Sequence, residues 1–431
     1  MLMDAGPPLG SGCTTAVVDD LLTPRRRPGP RCQPQWKPLA GISLPPAPGL
    51  CSRPVAEPFK NLINAGVVQS IGHHLQRADA GLDRRGFEAR ALAGLDGLEL
   101  KARVLQVADA LVAVLPTDVD RAAGLLEASL GPPGAGDDLG GLRTSEQGLA
   151  GWAVWPLSEA IARLAIDAPE RGLAALHAMT QRLTAEFAIR PFIVRHPALS
   201  FATLERWVGD PSAHVRRLVS EGSRPRLPWG LRLHALVVDP SPTLPLLAAL
   251  QDDPSEYVRR SVANHLNDIA KDHPARVAQW LARHLPGASA ERRALLRHAS
   301  RTLIKQGDAA VLAAWGLGQA FRGEAQWAVA PARVVVGDDL TLKLLLRSTS
   351  PKPQRLMIDY AVHHMKANGS TSPKVFKGWA LELGPREERA LERRHSFKPV
   401  TTRRYHPGAH TVDLRINGEI LGEAAFALHD R

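Results

Sequence analysis

Between residue 56 and about residue 317, apolar positions recur at three- and four-residue spacing. Leu95, Leu98, Val104, Val107, Leu111 and Val112 are typical of the run. Asp or Ser precedes several of these stretches, as expected where a side-chain oxygen accepts the free N–H groups that open a helix. The spacing predicts successive helices with one flexible break at 131–141, Gly-Pro-Pro-Gly-Ala-Gly-Asp-Asp-Leu-Gly-Gly, after which helices resume near Trp152. Near Gln326 the pattern shortens and begins to alternate. Segments 334–336, 340–346, 357–362 and 411–416 read as strands. Val336-Gly337-Asp338, Ala367-Asn368-Gly369 and Ile416-Asn417-Gly418 supply turns between them.

Inside the helical region one phrase occurs twice. Asp210-Pro211-Ser212, Val215-Arg216-Arg217 and Val219 return 43 residues later as Asp253-Pro254-Ser255, Val258-Arg259-Arg260 and Val262. That period belongs to HEAT-type repeats, in which helix pairs bury their apolar sides against neighbours and present a curved face. The expected fold class is therefore mainly α: a HEAT-like α-solenoid over residues 55–322, then a small all-β immunoglobulin-like sandwich over 326–431. Tyr405, ahead of Pro407-Gly408 and the 411–416 strand, resembles a tyrosine corner. Residues 1–54 are rich in Pro and Arg and read as a disordered extension. A second reading of that segment is that translation starts near Val55.

Charge narrows the function classes. The chain carries a formal net charge of +11, with a pI near 10, which suits an anionic partner such as nucleic acid. From 325 to 431 there are 17 Lys+Arg against 11 Asp+Glu, so the sandwich holds six of the eleven excess charges. Lys343, Arg347, Arg403, Arg404 or His406 could clamp a DNA backbone there. The same charge could instead serve solubility, with the sandwich only capping the last repeat. No stretch reaches the ~18 apolar residues of a membrane span, so no membrane partner is expected. Cys13, Cys32 and Cys51 all precede the helices, which excludes a cysteine-based zinc site in the folded part. His265, His273 and His298 lack ligand spacing, so no metal and no cofactor is expected. Walker, dinucleotide-binding and nucleophile-elbow motifs are missing as well.

The candidate chemistry lies on the repeats. Arg260, Asn264 and Asp268 stand four apart on one helix, and Arg217 and Glu221 occupy the corresponding stripe one repeat earlier. A solvated face laced with ion pairs has the same pattern. Between Arg190 and Leu233, however, there are eight arginines and three acids. The run from Glu221 to Trp229 ends a helix and puts Trp229 in a loop, where it either fills core or stacks on a base or sugar. Glu186 falls in an otherwise apolar helix end, as an exposed polar position or a partly desolvated acid.

Three segments together carry a resemblance: Glu186 in Ala-Glu-Phe-Ala-Ile-Arg-Pro-Phe, the run Glu221 to Trp229, and Ser261-Val262-Ala263-Asn264-His265-Leu266-Asn267-Asp268. They resemble the AlkC-type DNA alkylation repair glycosylases, as does the phrase Ala56-Glu57-Pro58-Phe59-Lys60-Asn61. The likeness covers roughly residues 55–431, and neither residues 1–54 nor the 131–141 break has a counterpart in it. The resemblance implies a bacterial, cytoplasmic, monomeric repair enzyme acting on double-stranded DNA with alkylated bases. It would remove cationic bases, chiefly 3-methyladenine and 3-methylcytosine, without flipping them. By motif position Glu186, Glu221 and Asp268 would be the catalytic acids. Trp229, Arg190, Arg217, Arg224, Arg260, Asn264, His265, Asn267, Arg403 and Arg404 would contact DNA. The alternative is a HEAT-repeat scaffold that binds nucleic acid and catalyses nothing.

Overall fold

The computed structural model describes residues 58–134, 136–137, 141–400 and 403–430. The expectations for residues 1–54, and part of that for the 131–141 break, fall outside them. Described helices run from Ala65–Ala78 to Ala309–Ala314, in pairs that stack along one continuous core. Ser255 caps Glu256–Ile269 by accepting from the backbone N–H of Val258 at 3.4 Å, and Asp118, Asp83 and Asp308 cap other helices in the same way.

The repeated phrase has a physical role in this stack. The helices Ala213–Gly222 and Glu256–Ile269 pack side by side through Val215, Val219, Val258 and Val262, all fully buried. Arg216 leaves the first helix and forks onto Asp253, which opens the second repeat: Nε donates to Oδ2 at 2.6 Å and Nη2 to Oδ1 at 3.0 Å. Its Nη1 also donates to the carbonyls of Asp210 and Pro211. The arginine of each Val-Arg-Arg phrase thus folds back on its own Asp-Pro turn, and Arg216 also joins that turn to the next one. A bidentate, half-buried guanidinium fixes the spacing and rotation of adjacent repeats.

The chain then enters the strands β1 (Gly323–Ala330), β2 (Arg333–Val335), β3 (Asp339–Ser348), β4 (Gln354–Met365), β5 (Thr371–Leu383), β6 (Glu388–Ser396), β7 (Gly408–Ile416) and β8 (Glu419–His429). One sheet has the order β1-β3-β6 and the other β2-β8-β7-β4-β5. The inward residues of β3, Leu340, Leu342, Leu344 and Leu346, alternate with outward ones and fill the space between the sheets. Trp327 crosses between them and donates its indole N–H to the Val412 carbonyl at 3.0 Å. Tyr405 contributes its ring, packed on Phe397 and His364.

The β7–β8 hairpin turns on Asn417 (φ 50) and Gly418 (φ 90), the left-handed pair that Asn-Gly supplies. The same Asn417 docks the sandwich on the solenoid. Its Nδ2 donates to the Gln319 carbonyl at 2.8 Å, and Gly418 lies against Gly307 with no room for a Cβ. Met357 of β4 joins the helical core.

Candidate active site

Where the helices Ala213–Gly222 and Glu256–Ile269 meet, three acids and two arginines form one network. Arg224 sits just past the first helix and is buried. Its Nη1 donates to Glu221 Oε1 at 2.5 Å and its Nε to Asp268 Oδ2 at 2.8 Å, so one guanidinium joins acids from both repeats. Glu221 Oε2 accepts from the Ser261 hydroxyl at 2.6 Å, and Asp268 Oδ1 accepts from Lys271 Nζ at 2.9 Å. Arg217 lies over the Tyr257 ring, 4.8 Å from its centroid, and donates to Glu186 Oε2 at 2.9 Å. Thr184 donates its hydroxyl to that same oxygen at 2.9 Å.

The electrostatics follow from this wiring. Burial pushes the Glu221 carboxyl up, but the guanidinium groups of Arg224 and Arg217 outweigh it and hold the acid down at about 2. Burial also weighs against charge on Arg217 and Arg224, yet Tyr257 and the acids around Arg217, and Glu221 and Asp268 around Arg224, raise both above the ordinary arginine range. Burial pushes Tyr257 up to about 12.

The three acids differ in what remains open. Both oxygens of Glu221 and of Asp268 are engaged, and both side chains are buried. Glu186 uses Oε2 for both of its bonds. Its Oε1 accepts no hydrogen bond among the described residues. Rather than a helix end, Glu186 occupies the turn leading into the short helix Arg190–Arg195, where Pro191 starts the helix.

Trp229 stands in the loop after the network, with its side chain exposed and its backbone left-handed at φ 63. A bulky residue in that region is strained, and such strain concentrates at functional sites. An aromatic that only filled the core would be buried.

Several residues expected to touch DNA are placed otherwise. Arg190 is fully buried, donates to the carbonyls of Gly222 (2.8 Å) and Leu231, and is lowered by burial to about 10. It is therefore inside the loop rather than on the surface. Arg217 and Arg224 are spent on the acids. His265 is fully buried with Nδ1 on the Ser220 carbonyl at 2.9 Å, and burial lowers it to about 4. Asn267 is buried and accepts from Thr302 Oγ1 at 2.8 Å. Asn264 accepts from His298 Nε2 at 2.8 Å and from Arg301 at 3.2 Å. Arg260 is exposed and pairs with Glu256 at 2.7 Å, so the Arg260–Asn264–Asp268 stripe runs from solvent into the interior rather than along one open face. On the sandwich, Arg403 donates to His364 Nε2 at 2.7 Å while Arg404 is exposed.

Sequence reasoning missed Tyr257, Thr184, Ser261 and Lys271. Ser261 opens the phrase Ser261–Asp268 that carries the resemblance, and its place at the head of that phrase was the available signal for it. Arg226 was missed too; it forks onto Asp272 through Nε and Nη2, both at 2.6 Å, and ties the loop to the second repeat.

Among the described residues, no group of three His, Cys, Asp or Glu could hold a metal, and no helix is long and apolar enough to cross a membrane.

Residues 324–430 match the family described as "Uncharacterised protein YhaZ, C-terminal Ig-like domain". Over 378 residues the chain is 35% identical to the uncharacterized protein YhaZ of Bacillus subtilis (strain 168), covering 85% of this chain and 98% of that protein. It is also similar to the Pseudomonas fluorescens alkylpurine DNA glycosylase AlkC, solved bound to DNA containing an abasic site analog. That similarity has a TM-score of 0.78 at 36% identity, over 86% of this chain and 99% of the other.

Proposed function

The chain belongs to the AlkC-type family, and from that premise we propose that it is a DNA repair glycosylase that hydrolyses the N-glycosidic bond of cationic alkylated bases. The bases are 3-methyladenine and 3-methylcytosine in double-stranded DNA, and they are removed without being extruded. The observation that carries this reading is the network of Glu186, Glu221 and Asp268, wired through Arg217 and Arg224, with the exposed Trp229 in the loop that follows Arg224.

A base methylated on a ring nitrogen is already positively charged. When its bond to C1′ breaks, the bonding pair neutralises the base, so no proton need be donated to it. Positive charge then develops on the sugar, where a nearby carboxylate stabilises it and water is guided to C1′. Glu186 is the acid with an oxygen left to meet that water and accept its proton. Asp268 supplies negative charge, and Glu221 holds the arginines that keep the other two acids in position. Trp229 meets the lesion from solvent. Arg260 and Arg404, both exposed, contact phosphate, with the sandwich as a backbone clamp. Extrusion costs a few kcal/mol and needs a receiving pocket, so removal of a base that stays stacked asks less of the protein.

The test is base release from DNA carrying 3-methyladenine, comparing the full chain with Glu186→Gln and Asp268→Asn while DNA binding is followed in parallel. Release that is lost in the variants, with binding intact, supports the reading. Tight, salt-sensitive binding without release by the unaltered protein leaves only the non-catalytic scaffold.

A further inference from the structure

We infer that Lys101 and Arg190 are positioning residues that lock the Trp229 loop against the solenoid, an inference that rests on the reading of Trp229 as the lesion contact. Three backbone carbonyls of the loop are each taken by a cation from elsewhere in the chain. Arg190 donates from Nη1 to Gly222, where the loop leaves its helix, at 2.8 Å, and from Nε to Leu231, where the loop ends. Lys101, on the helix Leu100–Val112, donates from Nζ to the carbonyl of Trp229 itself at 2.6 Å.

The two cations divide the work. Arg190 is fully buried, so it clamps the loop's two ends from beneath. Gly230 packs on it, and a Cβ there would lie 3.2 Å from its Nε. Lys101 is exposed and comes from 128 residues away in sequence, so it reaches the loop from an early helix. Trp229 needs such support. With φ 63 and an exposed ring, neither its backbone preference nor burial of its side chain fixes its conformation. A charge-assisted bond to its carbonyl orients the peptide plane and so fixes the backbone from which the ring projects. One of the three N–H groups of the Lys101 ammonium is directed at that carbonyl.

The experiment uses full-length protein carrying 5-fluorotryptophan. The Trp229 resonance among the nine tryptophans is identified by its absence in Trp229→Phe. Lys101→Met and Arg190→Lys are each expected to move or broaden that resonance, and Lys101→Arg to restore it. Because Lys101 is exposed, its variants test the inference even if Arg190→Lys folds poorly. In single-turnover base release, Lys101→Met is expected to lose about fivefold, the size of one hydrogen bond. That loss should disappear when Trp229→Ala is already present, and the salt slope of DNA binding should not change. An unmoved resonance overturns the inference. So does a Lys101→Met loss that persists beside Trp229→Ala with a shallower salt slope, because Lys101 would then be a phosphate contact. If Trp229→Ala leaves base release untouched, the proposed role of Trp229 fails, while the resonance still reports whether the loop is locked.

Discussion

Ser261 donates its hydroxyl to Glu221 across the boundary between two repeats, at 2.6 Å, and both groups are buried. The bond ties an acid on one helix to the rotation of the next helix. Replacing Ser261 by Ala leaves the buried Glu221 Oε2 without its donor. The expected cost is about 1–3 kcal/mol of stability, read as a lower urea midpoint with an unchanged slope. An unchanged midpoint would mean that the bond contributes nothing.

Arg224 carries the larger stake, because it serves Glu221 and Asp268 together. Arg224→Met should destabilise the chain by about 3–5 kcal/mol at pH 7, since two buried acids lose their shared partner. The sign of the pH dependence follows from Glu221. Its folded-state value, about 2, lies below the ordinary 4.5, so its contribution is full above pH 4.5 and fades as pH falls through 2. Without Arg224, burial is less opposed and the acid rises. The difference between variant and wild type should therefore be largest at neutral pH and shrink near pH 4. Urea unfolding at the two pH values decides it; a gap that widens in acid contradicts the account.

A second acid-sensitive group lies in the sandwich. His364 is lowered to about 3 by burial, then by Arg403, with His410, His395 and Lys374 adding to the effect. The unfolded chain takes up a proton below about pH 6.5 that the folded sandwich refuses. Stability is therefore full above 6.5 and declines from there toward pH 3, by up to about 1.4 kcal/mol per pH unit for this group. His364→Phe keeps a ring against Phe397 and Tyr405 and should flatten the decline. Hydrogen exchange in β4 and β7, corrected for intrinsic rates at pH 5 and pH 7, measures this. An equally steep decline in the variant would assign it to the other histidines.

How much was legible in the sequence follows from what each signal encodes. The Asp-Pro-Ser and Val-Arg-Arg repeat exposed the solenoid because it is repeated chemistry: a serine at each helix start, buried valines, and an arginine folded on its turn. Four strands and the turns at Gly337, Gly369 and Gly418 were visible as alternation punctuated by glycine. β1, β5, β6 and β8 were not singled out, since most of their residues face solvent or lie half-buried and carry little apolar signal. The sequence singles out the three acids that share one network, but it reads the arginines joined to them as phosphate contacts. A cation that neutralises a buried acid and one that waits for DNA look alike in a sequence, and burial alone separates them. Arg190 is the clearest case: the motif holding it was noticed, while its burial depends on a loop contact 41 residues away.

Trp229 separates stability from function most sharply. Left-handed backbone costs a residue with a side chain about 1–2 kcal/mol, a cost glycine escapes, although glycine also gives the unfolded chain more freedom. With the ring exposed, little packing is lost on truncation. Trp229→Gly should therefore leave stability unchanged or raise it by up to about 1 kcal/mol, while base release falls. Trp229→Ala keeps the strain and loses the ring, so it should match Trp229→Gly in base release and fall below it in stability. Thermal unfolding and single-turnover release, measured on the same preparations, test both statements. A glycine variant less stable than wild type would make Trp229 a packing residue and remove strain from the argument. If both variants release base at the wild-type rate, the left-handed tryptophan is not maintained for catalysis, and the lesion contact has to be sought elsewhere on the face.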